Sequence, residues 1–164
     1  MRSSKARHIA FGGMFAAVAL VIMSLGGLIP VATFVCPMLC MLILAFVTKM
    51  CGVRIGWAWY GAVAILSLIM APDKEAAAVF VFLGFYPIVK SRLDRKKFGL
   101  VYKLLLFNVL VLLMYTLLIH LFGMGQLAAE YREMGIAMTM LTLILGNVTF
   151  FLLDIVLSRF SRIR

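Results

Sequence analysis

The sequence predicts an all-α membrane protein, a bundle of six transmembrane helices forming a single domain over residues 1–164 with both termini cytoplasmic. Three observations carry this reading. Hydrophobic residues make up 65% of the chain and charged residues only 13%, where a soluble domain carries roughly a quarter charged. There are therefore too few polar side chains to cover a globule in water. The charges fall in short clusters between long apolar runs, as a bilayer requires. Lys and Arg concentrate in alternate clusters, as they do in cytoplasmic loops.

The first apolar run, His8 to Ile29, is free of full charges and ends at Gly26-Gly27 and Pro30. It is too long for the apolar region of a signal peptide and no cleavage site precedes Pro30, so it reads as a retained first helix. Pro30 to Pro37 is apolar but twice interrupted by proline and reads as a loop dipping into the outer leaflet. A second helix covers Met38 to Met50, and Lys49 to Arg54 makes a basic turn. A third, Ile55 to Met70, closes at Ala71-Pro72. After the turn Asp73-Lys74-Glu75, a fourth runs from Ala76 to Lys90. The third and fourth are short against the ~20 residues that cross ~30 Å of hydrocarbon. Ser91 to Gly99 is a basic loop, Leu100 to Phe122 a long uninterrupted fifth helix, Gly123 to Met134 a polar loop, and Gly135 to Leu157 a sixth helix before a basic tail.

Alternating these segments across a membrane with the N-terminus inside places fourteen of the sixteen bases on the inner side, with only Lys74 and Arg132 outside. Four of the six acids, Asp73, Glu75, Glu130 and Glu133, fall outside. An odd number of helices would break this agreement. The net charge of +10 is thereby explained by orientation. Nucleic-acid binding, which needs a basic face on a soluble scaffold, is excluded as a reading.

No catalytic constellation is present: no nucleophile–base–acid set, no HExxH and no phosphate-cradling loop. The sequence thus predicts no enzyme, no cofactor and no metal. Cys36, Cys40 and Cys51 lack the second Cys/His pair of a metal site and read as small apolar packing residues. His8 and His120 fall at opposite faces. Trp57, Trp59, Tyr60, Tyr86 and Tyr102 fall near the inner boundary and read as an aromatic belt.

The polar residues that orientation does not explain lie in the outer halves of the later helices. Asp73, Lys74 and Glu75 either cap a helix N-terminus or form one rim of an outward pocket, with Lys74 facing an anionic ligand. Asn108 and Tyr115, seven residues apart, share a face of the fifth helix with His120 near its outer end. Polar groups in lipid face the bundle or a cavity, and Asn108 suits an interhelical bond. Gly135, Thr139, Thr142, Gly146 and Thr149 form a small, polar stripe on the sixth helix, beside Asn147. Thr139 and Thr142 would make a third pocket wall. Asn108 and Asn147 would make its floor, or bond to each other. Asp154 is expected to be interfacial or paired with a base such as Arg159. On the first helix, Gly12 with Ala16 and Gly13 with Ala17 form two small-xxx-small pairs that serve either internal packing or docking of a partner.

A short basic N-terminus, a small-residue first helix, a Pro-containing first external loop and six helices in a short chain resemble the S components of energy-coupling-factor transporters, the bacterial substrate-capture subunits for vitamins and trace metals. The resemblance covers the whole chain in layout and the first helix and loop in detail. It implies a small-molecule ligand taken from outside, a transmembrane coupling subunit docked on the first helix, and ATPase subunits to supply energy. In that family an Ala-x-x-x-Ala pair makes the docking contact. Here the matching register gives Ala10 with Met14, a departure for which the Gly12/Ala16 and Gly13/Ala17 pairs would have to substitute. No thiamine-, riboflavin- or biotin-type motif is evident, so no substrate follows. The stretches Met70 to Glu75 and Gly84 to Lys90 are also similar to small membrane proteins of Gram-positive bacteria. The competing reading is a non-transport scaffold with the six-helix layout of the rod-shape-determining membrane proteins.

The orientation is tested by labelling single introduced cysteines from outside intact cells, against the background of the native three. A cysteine at Glu130 should react and one at Lys96 should not; the reverse pattern would sink the topology.

Overall fold

The computed structural model describes the backbone of residues 2–25, 32–94, 99–121 and 125–162, with side chains described over most of these stretches. Every regular element among the described residues is helical: α1 (Arg2–Leu25), α2 (Ala32–Cys51), α3 (Val53–Met70), α4 (Lys74–Leu83), α5 (Tyr86–Leu93), α6 (Gly99–Leu121) and α7 (Gly125–Arg162). Four of them contain segments long and apolar enough to cross a membrane: Ala6–Leu25, Phe34–Cys51, Val53–Met70 and Leu143–Phe160. The apolar stretch Val101–Leu117 of α6 is slightly shorter.

Two segments expected to be loops are helical. The Pro30–Pro37 loop is overturned from Ala32 onward, because α2 starts there and carries Pro37 inside it. A proline deletes one backbone bond and is disruptive in a helix interior. Here it costs the bond to the Thr33 carbonyl one turn back, and the helix nevertheless runs through it, with Pro37 fully buried. The polar Gly123–Met134 loop is overturned from Gly125 onward. Gln126, Leu127, Ala128, Ala129, Glu130, Arg132 and Glu133 are good helix formers whatever their polarity. The 38 residues of α7 extend about 57 Å at 1.5 Å per residue, well beyond a ~30 Å hydrocarbon layer.

The chain divides into two compact units, Met1–Lys96 and Lys97–Arg164. In the first, α2 packs against α1, α3, α4 and α5. Met23 from α1, Met41, Leu44 and Val47 from α2, Val63 from α3 and Phe80 from α4 are all fully buried. Phe15 meets Phe46 edge-on at 5.3 Å between centroids, tying α1 to α2. The α2–α3 turn is a single residue, Gly52, with φ of 92°, a conformation L side chains rarely adopt. One turn later, Gly56 lets α3 touch α2: a Cβ there would strike the Thr48 hydroxyl and lie 3.2 Å from its Cβ.

The expected fourth helix is broken into α4 and α5. Pro87 sits in the first turn of α5, where its missing amide cannot continue the α4 ladder and its ring excludes the carbonyl four residues back. Ala76 to Phe80 are buried consecutively, so α4 is enclosed around its circumference rather than amphipathic. At the break, Gly84 admits Tyr60: a Cβ on Gly84 would stand 2.9 Å from Tyr60 Cε2 and collide with the Phe80 carbonyl oxygen. The Tyr60 hydroxyl donates to the carbonyl of Val81, one of the terminal α4 carbonyls that the helix leaves without an intrahelical partner.

In the second unit α6 and α7 run antiparallel: Lys103 meets Asp154, Phe107 meets Phe150, and Asn108 meets Asn147.

Gly84→Ala should destabilise the protein by about 1–3 kcal/mol, as overpacking against backbone does. Gly61→Ala, whose Cβ would meet nothing within 4 Å, should be neutral or stabilising. Thermal unfolding of both variants in detergent decides, and equal effects would contradict the packing described.

Candidate functional site

The residues singled out from the sequence fall into three groups. The first is the α3–α4 connection. Asp73 is the N-cap of α4, with its Oδ1 accepting from the amides of Glu75 at 2.9 Å and Ala76 at 3.1 Å. Lys74 turns back, and its Nζ donates to the Leu68 carbonyl at 2.8 Å and the Ile69 carbonyl at 3.4 Å, satisfying the C-terminal turn of α3. Glu75 lies in the first turn of α4, where the helix dipole favours an acid. The sequence left open capping or a pocket rim. The observed bonds of Asp73 and Lys74 are capping bonds that join the end of one apolar helix to the start of the next.

The second group is on α6 and α7. Asn108 and Asn147 form a reciprocal amide pair, each Nδ2 donating to the other's Oδ1 at 3.1 Å. Each also donates to the carbonyl four residues earlier, Leu104 and Leu143, at 2.8 Å. Both amide groups are therefore engaged in the hairpin, which is the interhelical bond the sequence allowed. Tyr115 is half-buried on α6. Gly146 lies opposite the Phe107 ring, 3.5 Å from where a Cβ would sit, and Thr149 bonds back to the Leu145 carbonyl. The side chains of His120, Thr139 and Thr142, expected on two pocket walls, lie outside the described residues.

Asp154 is paired with a base, as expected, and that base is Lys103 rather than Arg159. The Lys103 Nζ stands 3.1 Å from both of its carboxylate oxygens, whereas Arg159 is exposed. Five residues along one helix turn a side chain well off the shared face, while Lys103 faces Asp154 directly across the hairpin. The two side chains are only 8% and 13% exposed. A charge in such surroundings is tolerated when it is paired.

The third group is the small-residue face of α1. Gly12 is buried, and its carbonyl accepts the Trp59 indole N–H at 3.0 Å. Gly12 thus takes part in internal packing, one of the two roles the sequence left open for this face. A Cβ at Gly12 would lie 3.9 Å from the Trp59 ring, an ordinary packing distance. Ala16 is half-buried, while Gly13 and Ala17 are exposed. Ala6 and Ala10 are exposed as well, so the exposed small residues are Ala6, Ala10, Gly13 and Ala17 at intervals of four, three and four. Reading the face from the Ala10–Met14 pair alone conceals this stripe.

The aromatic-belt reading is also corrected in part. Trp57 and Tyr102 are exposed, but Trp59 and Tyr86 are buried and Tyr60 is bonded to Val81. Around Tyr60 gather Trp57, Phe80 and Phe85, with ring centroids 5.8–6.3 Å away. Next to this cluster, Lys90 is buried, 3.6 Å from Asp94 and 6.0 Å from the Tyr86 ring centroid. Cys36, Cys40 and Cys51 are free thiols, and Cys40 donates to the Ala19 carbonyl at 3.5 Å. Among the described residues, no group of three or more His, Cys, Asp or Glu could hold a metal ion.

Comparison of the chain with family models, curated proteins and solved structures finds no match.

Proposed function

We propose that this chain is a multi-pass protein of a bacterial plasma membrane with six membrane passes, α4 and α5 together forming the fourth. In this reading it is a solute-binding subunit that captures a small molecule on the outer side and works with a transmembrane coupling subunit and ATPase subunits. The proposal assigns it no catalysis of its own. The observation that carries it is the two-sidedness of α1. One side, Gly12, Ala19 and Met23, is buried. The other leaves Ala6, Ala10, Gly13 and Ala17 exposed. Lipid needs no small residues, whereas a helix packing against another helix in a membrane does, because they let the backbones approach. This is the helix on which energy-coupling-factor S components dock, and the Ala6/Ala10 pair supplies the Ala-x-x-x-Ala spacing one turn before Ala10/Met14.

A second reading, a membrane scaffold of the rod-shape-determining type, is favoured by a separate observation. Asp73, Lys74, Asn108 and Asn147 are engaged in caps and interhelical bonds inside the fold. A scaffold needs lateral helix faces and no pocket. Both readings use the exposed side of α1.

Affinity purification of the tagged chain from its native membrane separates them. The transport reading expects an ATPase and a coupling subunit to co-purify. A double substitution Gly13→Leu/Ala17→Trp should leave thermal unfolding of the isolated chain unchanged and reduce recovery of the complex by roughly tenfold or more, the effect of ~1.4 kcal/mol. Co-purification of membrane proteins without an ATPase would support the scaffold. A complex indifferent to the double substitution would remove α1 as the docking face.

A further inference from the structure

The α6–α7 hairpin poses a problem that its apolar residues do not solve. From Leu104 to Leu121, α6 is almost entirely aliphatic and aromatic, interrupted by Asn108, Tyr115, Thr116 and His120. The facing stretch of α7 is mostly apolar too, with Thr139, Thr142 and Thr149 beside Asn147. Two such helices can slide by a turn, exchanging one Leu or Val contact for another with little change in packing. In lipid there is no hydrophobic drive to prefer one alignment, since the tails are as apolar as the side chains. Yet the contacts follow a single register. Lys103 meets both oxygens of Asp154 at 3.1 Å. One turn on, the Phe107 and Phe150 rings stack at 4.5 Å and 24°, and beside them Asn108 and Asn147 exchange two bonds of 3.1 Å.

We infer that the Lys103–Asp154 and Asn108–Asn147 pairs form a two-point register key. They select which residues of α6 meet which of α7, rather than supplying the hairpin's stability. A slip of three residues in one direction would set Lys103 against Phe151 and Asn108 against Ile144, and in the other Lys103 against Leu157 and Asn108 against Phe150. Both charges and both amides would then face apolar groups. Buried polar groups left without partners are heavily penalised, whereas replacing both partners of a pair by apolar residues of similar shape is often neutral or stabilising. A polar pair in an otherwise apolar helix seam fixes alignment in this way, as a buried Asn does in coiled coils. Two pairs offset along the seam are more selective than one, because a slip that happens to rescue one strands the other.

The test places two ketoxime spin labels, through p-acetylphenylalanine, at Val101 and Met140, both exposed, in the full chain in nanodiscs, and measures their separation by pulsed dipolar spectroscopy. The native cysteines stay unlabelled. The parent chain should give one distance. The quadruple variant Lys103→Met, Asp154→Leu, Asn108→Leu and Asn147→Leu should unfold thermally no earlier than the parent. It should show two or more distances separated by about 5 Å, the rise of one helical turn. A quadruple variant that keeps the single parental distance would overturn the inference, because apolar packing alone would then set the register. A variant that fails to fold, or unfolds well below the parent, would overturn it equally, since the pairs would then be supplying stability.

Discussion

Where the helix breaks ahead of Pro87, the last carbonyls of α4 lose the donors that a further turn would supply, and the Tyr60 hydroxyl serves one of them, that of Val81. In apolar surroundings an unbonded carbonyl has no water to turn to, so a break in an apolar helix needs a donor from elsewhere in the protein. The helix stops at Leu83, Gly84 and Phe85 make the turn, and α5 resumes with Pro87 in its first turn. Tyr60 from α3 reaches the Val81 carbonyl across Gly84. That reach requires α3 to lie close beside α4, while the abrupt Gly52 turn and the bare backbone of Gly56 bring α3 against α2. The enclosed α4 is thus held from one side by a tyrosine and at its start by the Asp73 cap.

The same logic runs through the other polar side chains. Trp59 gives its N–H to the α1 backbone, Lys74 caps α3, Asn108 and Asn147 satisfy each other, and Lys103 neutralises Asp154. Each of these bonds joins two helices or two helix ends, so each of these side chains also fixes the position of an element. The exposed side of α1, with Ala6, Ala10, Gly13 and Ala17, is where small residues stand exposed.

Periodicity and apolar length made the helices legible and left their partners obscure. The fifth expected helix, Leu100 to Phe122, is helical throughout its described residues, to Leu121, because nothing in it competes with a helix. Pro37 marks a boundary in the sequence because a proline is disruptive in a helix interior, yet α2 runs through it. The stretch from Gly125 misled because polarity was read as a loop, although its residues favour a helix. The capping role of Asp73 was visible as an alternative, since an acid before an apolar helix is a local signal. The Lys103–Asp154 pair was not: the two are 51 residues apart, and helical spacing tells which face a residue occupies but not what that face meets. Trp59 and Tyr60 were assigned to a belt because their position along the chain matches one. Only the close approach of Gly12 and Gly84 shows that they point inward.

The central claim, that a proline break in an apolar helix is made tolerable by a hydroxyl from its neighbour, is tested most directly by Tyr60→Phe. This change keeps the ring among Trp57, Phe80 and Phe85 and deletes only the donor to Val81. Equilibrium unfolding in mixed micelles should show a loss of about 1–3 kcal/mol, the cost of leaving a buried carbonyl without its partner. A change of less than about 0.5 kcal/mol, the size of an ordinary surface substitution, would contradict the account.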